Sequence, residues 1–83
     1  MSNPNVVTKT LPQVIVSKEA FVSVYKPIAG WKAVMYTWED EMDCHTPWET
    51  GFFAYATKAE AIEYALSWAE SEELAYVPSS KEA

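Results

Sequence analysis

The chain reads as an α+β domain: a small antiparallel sheet of three or four strands with one helix packed on one face. Three observations predict it. Phe21–Tyr25 and Trp31–Trp38 are short runs rich in β-branched and aromatic residues, which is strand composition. Thr57-Lys58-Ala59-Glu60 is a capping box, in which Thr57 accepts from the Glu60 N–H while Glu60 reaches back to Thr57. The length of 83 residues leaves room for one helix and a few strands around one core.

Residues 1–12 mix Asn, Pro, Thr and Ser and read as a loose or docking arm. Residues 13–78 form the single domain, and 79–83 read as a disordered tail. Gln13-Val14-Ile15-Val16 is expected as a short first strand. Phe21–Tyr25 is a better one, and it stops at Lys26-Pro27 because proline brings no N–H to a ladder. Pro27-Ile28-Ala29-Gly30 supplies turn chemistry, with Gly30 free to take positive φ.

The next strand runs from Trp31 to Trp38. One face carries Trp31, Ala33, Met35 and Thr37; the other carries Lys32, Val34, Tyr36 and Trp38. Both faces are largely apolar, so this is the central strand, covered by the helix on one side and by aromatics or a partner on the other. Thr50–Ala56 is expected as the third strand, after an acidic loop. Alternatively, the two flanking strands extend inward and pair around a turn near Asp43–Thr46.

The helix runs from the capping box to about Glu73. At roughly 100° per residue, Ile62, Leu66, Ala69, Ala65 and Ala59 form its apolar stripe, continued by Ala61, Trp68 and Tyr64. So wide an arc asks for a second neighbour at Trp68 and Tyr64: the arm, the Leu74–Val77 tail, or a dimer contact. Glu70, Glu72 and Glu73 crowd the C-terminus against the macrodipole, with no Gly following as a cap. Leu74–Val77 reads as extended, closed by Pro78.

Charge divides the chain. Residues 1–38 hold four Lys against Glu19, a formal +3, whereas residues 39–83 hold two Lys against eleven acids, a formal −9. There is no Arg, so the usual bidentate reader of phosphates and guanine edges is missing. Direct nucleic-acid binding and attachment to an anionic membrane are therefore not expected. One Cys excludes an intramolecular disulfide. No secretory pattern and no membrane-spanning apolar run is visible, so the expected setting is cytoplasmic.

The densest chemistry lies in residues 38–51, which gather five carboxylates, the only His, the only Cys and two of the four Trp. Carboxylates stay in water and Trp seeks burial, so the segment is neither plain core nor plain linker. Cys44 and His45 are neighbours, and adjacent strand residues point to opposite faces, which suits a nucleophilic pair poorly. Asp43, Cys44 and His45 are the candidate ligands of a divalent metal, a set short of the several Cys or His of a zinc site. The acids lack the alternation and central Gly of an EF-hand loop. No P-loop, phosphate cradle or serine elbow occurs, so neither an enzyme nor a cofactor is expected.

The run Pro47-Trp48-Glu49-Thr50-Gly51, then Tyr55–Ile62, then Trp68-Ala69-Glu70 with Glu73-Leu74, resembles small uncharacterised proteins found mainly in cyanobacteria. The resemblance spans residues 47–74, and its distinctive part is Pro-Trp-Glu-Thr-Gly. It implies a cytoplasmic setting and carries no activity.

Aromatic anchors beside steering carboxylates suit protein recognition. The expected function is thus a non-catalytic interaction or regulatory module, with Trp38, Glu39, Asp40, Glu41, Asp43, Trp48 and Glu49 as the binding surface. Its partner is a protein of basic character, or a second copy in a homodimer. The alternatives are a divalent-metal-binding domain and an acidic DNA mimic with Glu60, Glu63 and Glu70 extending the loop's charge. The bland account has Trp38 and Trp48 stacking across a hairpin while the acids face water.

Overall fold

A computed structural model of the chain describes residues 6–51 and 53–78. The expected tail at 79–83 and the first five residues of the arm lie outside that range. The elements in chain order are α1 (Leu11–Ser17), β1 (Phe21–Tyr25), β2 (Lys32–Glu39), β3 (Cys44–Thr50), α2 (Lys58–Glu72) and β4 (Ala75–Tyr76). They build one sheet in the order β3-β2-β1-β4. The class is α+β, but the sheet is mixed, because β4 pairs parallel to β1 while the other pairs are antiparallel.

Residues 6–12 dock. Tyr76 N donates to Val7 O and Lys9 N donates to Tyr76 O, both at 3.0 Å, so the arm covers the free edge of β4. The expected strand at Gln13–Val16 is instead the middle of α1. Thr10 caps it, accepting from Gln13 N while the Gln13 side chain returns to Thr10 N, and Pro12 fits the first turn. Of its β-branched residues only Val14 is buried, against Phe21, Ala75 and Val77, while Ile15 and Val16 are exposed.

α2 lies across the opposite face. Its buried line is Ala61, Ala65 and Ala69, against Val22, Val24 and Ala33 of the sheet and Tyr76 of β4. Methyl-sized side chains let the helix settle close to the strands. The expected stripe was rotated too far, since Ala59 is exposed. Trp68 is half-buried; its ring centroid is 5.9 Å from that of Tyr64, and Val6 and Leu74 join the same cluster. The neighbour the structure gives its ring is Tyr64, one helical turn earlier. The helix end is better finished than expected: Glu73 takes φ +59 and Leu74 N donates to Ala69 O at 2.8 Å, a Schellman closure with Glu where Gly is usual.

The third strand also differs from expectation. β3 occupies Cys44–Thr50, and residues beyond it only touch the sheet, through Gly51 N to Ala33 O at 2.7 Å and a Trp31–Tyr55 bridge. Gly51 is required there, because a Cβ would meet the Tyr64 ring at 2.8 Å. Gly30 takes φ +78, and a Cβ on it would sit 2.8 Å from Tyr55 O. Ser23 is buried on β1, and its hydroxyl donates to Val77 O at 2.6 Å, pinning the segment after β4.

Candidate functional site

The acidic stretch is a tight hairpin turn. β2 and β3 pair as far as Glu39 and Cys44, leaving Asp40–Asp43 as a four-residue connection. Asp43 N donates to Glu39 O at 2.8 Å, and Asp43 takes φ +56, a conformation that Asp tolerates better than most residues. Glu39, Asp40, Glu41 and Asp43 are all exposed. Asp40 is fixed by the Trp38 indole, whose N–H donates to Oδ1 at 2.9 Å. Trp38 itself is half-buried, and Lys18 Nζ lies 5.4 Å from its ring centroid.

Strand alternation separates Cys44 from His45. His45 pairs across the hairpin with Trp38, while Cys44 pairs with Glu39, so the two side chains leave opposite faces. His45 Nε2 lies 2.7 Å from the Glu19 carbonyl, which only accepts, so Nε2 carries the proton. The imidazole stands edge-on to Phe21 at 4.9 Å and to Trp38 at 5.1 Å. This ring joins the hairpin to the start of β1. Among the described residues, no three His, Cys, Asp or Glu side chains converge as a metal-holding group, and Asp43, Cys44 and His45 do not form one.

Trp48 and Glu49 sit elsewhere on the hairpin. Tyr36 pairs with Pro47 and Met35 with Glu49, which leaves Trp48 as the extra residue of a β-bulge. A proline at that point costs little, because the ladder is already interrupted. Trp48 is 69% exposed and lies about 10 Å along the strand from His45, so it does not stack on Trp38 across the hairpin. The structure brings Trp38, Asp40 and Asp43 together at the turn, flanked by Glu39 and Glu41, and sets Trp48 and Glu49 apart. Glu60, Glu63 and Glu70 belong to α2, on the other side of the sheet from Trp38 and His45.

The larger feature is the sheet face that α2 leaves uncovered. Phe21, Ser23 and Tyr25 of β1 share it with Tyr36, Val34 and Lys32 of β2, and Trp38 and His45 continue it toward the turn. α1 stands over part of it, with Leu11 and Ile15 about 45% exposed at its side. Between them runs an open groove of about 620 Å³, inside the roughly 300–1,000 Å³ typical of binding pockets. Phe21 and Tyr36 stack in its floor with centroids 4.9 Å apart. Burial, with a smaller effect from Tyr25, pushes the Tyr36 phenol pKa above its ordinary value. Glu19, at the α1 side, accepts from Lys9 at 2.7 Å and from Ser17 at 2.6 Å, and these bonds hold its carboxyl below the usual range.

Sequence reasoning placed the turn acids and Trp38 but missed most of the groove. The signal was the Lys32, Val34, Tyr36 and Trp38 face: three apolar side chains on the side away from the helix. The α1 wall has no sequence signal as long as Gln13–Val16 reads as a strand. Among the described residues no helix is long and apolar enough to cross a membrane. No protein-family model matches the chain, and no curated protein and no solved structure matches it.

Proposed function

We propose that this chain is a non-catalytic protein-interaction module whose working surface is the groove together with the acidic turn at its end. The observation that carries the reading is the adjacency of the two: an aromatic floor of Phe21, Tyr36 and Trp38, half or fully sequestered, runs into four exposed carboxylates. Aromatic side chains supply most of the affinity at such surfaces, and rim charges set encounter rate and orientation. Trp38 links both roles, because its ring lies in the groove while its N–H holds Asp40. Trp48 and Glu49 are peripheral to this surface, and the groove walls Leu11 and Ile15 replace them.

The reading is tested by affinity capture from native lysate with the intact chain, a Glu39/Asp40/Glu41→Ala variant and a Tyr36→Glu variant. Partners retained by the intact chain are expected to drop out with both variants, each checked for folding by circular dichroism. Identical partner lists from all three would remove the groove and turn as a binding surface.

A further inference from the structure

β4 is held from two sides by unequal neighbours. On one side it joins β1: Ala75 and Tyr76 pair with Phe21 and Val22, and Val77 N donates to Val22 O at 2.9 Å. On the other side Tyr76 turns its N–H and C=O to the arm, bonding Val7 O and Lys9 N at 3.0 Å each. Among the described residues, these two are the main-chain bonds between arm and sheet.

The rest of the arm's hold is thin. Lys9 Nζ meets Glu19 Oε2 at 2.7 Å, with the two side chains 33% and 32% exposed, and ion pairs that wet contribute little. Val6 is half-buried against the core on the α2 side, whereas Val7 and Thr8 face solvent. Beside Lys9 an open recess of about 530 Å³ lies between the arm and the end of α2. Its lining carries three carboxylates, Glu19, Glu70 and Glu73, and one ammonium, that of Lys9. The arm leaves this recess unfilled.

We propose that the outer edge of β4 is a strand-addition site with the arm as its built-in occupant, and that an extended basic peptide takes the arm's place. Residues 6–9 define what the site accepts. The segment runs parallel to β4, is apolar at the position of Val6, and is basic three residues later, beside the acidic recess. Strand addition draws affinity from main-chain bonds and specificity from side-chain pockets. Here β4 offers Tyr76 alone for the main-chain part, so the apolar and basic side chains carry the selection. The arm, tethered beside its site, acts at high effective concentration and keeps weaker strands out. A competing peptide binds only the molecules whose arm is open, and its apparent affinity falls by that fraction. This edge is separate from the groove, and the inference does not depend on it.

Two neighbouring amides distinguish opening of the arm from opening of the sheet. In the intact chain, the Lys9 and Tyr76 N–H groups, which join arm and β4, are expected to exchange with solvent at least about tenfold faster than the Val77 N–H, which bonds to β1. Equal protection of Tyr76 and Val77 means that the arm leaves only with the sheet, and it overturns the inference. A fluorescent peptide with the sequence of residues 5–10 is then titrated against the full chain and against full-length Lys9→Glu, whose arm Glu19 repels. The anisotropy is expected to show binding to the variant roughly tenfold tighter than to the intact chain, weakened by salt and lost when the peptide itself carries Lys9→Glu. Binding equal for the two chains, absent from both, or indifferent to the peptide's charge overturns the inference. The exchange measurement needs no substitution, so it decides the matter if the variant fails to fold.

Discussion

Trp38 and His45 face each other across the hairpin with their ring planes at 84°, and each spends its ring N–H on a different part of the chain. The indole holds the turn through Asp40, and the imidazole holds the entry to β1 through the Glu19 carbonyl. One cross-strand pair therefore fixes the acidic turn relative to α1 and the groove.

Replacing His45 with Ala removes one hydrogen bond and two edge-on ring contacts. The expected loss is roughly 2 kcal/mol, about 1 from the bond and the rest from the rings. His45→Phe keeps the ring contacts and should recover about half. Urea denaturation of the three proteins checks this, and an unchanged His45→Ala midpoint would contradict the tie.

Gly51 and Tyr64 are coupled by contact rather than by backbone conformation. Gly51→Ala places a methyl 2.8 Å from Tyr64 Cε2, and moving that ring is expected to cost about 1–3 kcal/mol. With Tyr64→Leu already present, the same substitution should cost much less. A double-mutant cycle by thermal unfolding reads the coupling, and additive losses would refute it.

Glu73 occupies a left-handed position and adds negative charge at the C-terminus of α2. Glu73→Gly relieves both, and the stability gained is expected to be about 1 kcal/mol despite the greater freedom of Gly in the unfolded chain. Glu73→Ala relieves only the charge and should gain less. Chemical denaturation that ranks Ala above Gly would contradict the backbone part of this account, since both variants remove the same charge.

Tyr36 gives an alkaline signature. Its folded-state pKa lies above the ordinary 10.0, so the folded chain holds this proton more tightly than the unfolded chain does. The associated stability is fully present below pH 10.0 and is lost as the pH rises through the folded value. Tyr36→Phe should abolish that part of the alkaline loss. Phenolate absorbance should show one fewer late-titrating tyrosine in the variant than in the intact chain.

Local signals were legible where one residue pattern had one reading. The Thr57–Glu60 box and the Ala-rich run behind it gave α2, and the Phe21–Tyr25 and Trp31–Trp38 runs gave β1 and β2 to within a residue. At α1 two signals competed: Val14-Ile15-Val16 has strand composition, but Thr10-Leu11-Pro12-Gln13 is itself a capping box with Pro in the first turn. The box prevailed, since β1 already has β2 and β4 as neighbours and leaves no edge for another strand there. The hairpin was anticipated as an alternative, with its turn placed three residues late; the bulge at Trp48 shifts the register by only one residue and accounts for little of that offset. The groove was least legible. It depends on α1 and on the parallel β4, whose two residues carry no periodicity of their own.

The pairing of Thr8 with Tyr76 and of Phe21 with Ala75 has a consequence for how the chain acquires its shape. The hairpin and α2 assemble from neighbours in sequence, whereas these bridges join residues from nearly opposite ends of the described chain. Loops that long close slowly, so sheet completion is expected to be the late step in folding. During synthesis β1 emerges more than fifty residues before its parallel neighbour Ala75. Until then its outer edge has neither β4 nor the arm against it, and a nascent chain stalled after α2 would present that edge to other molecules.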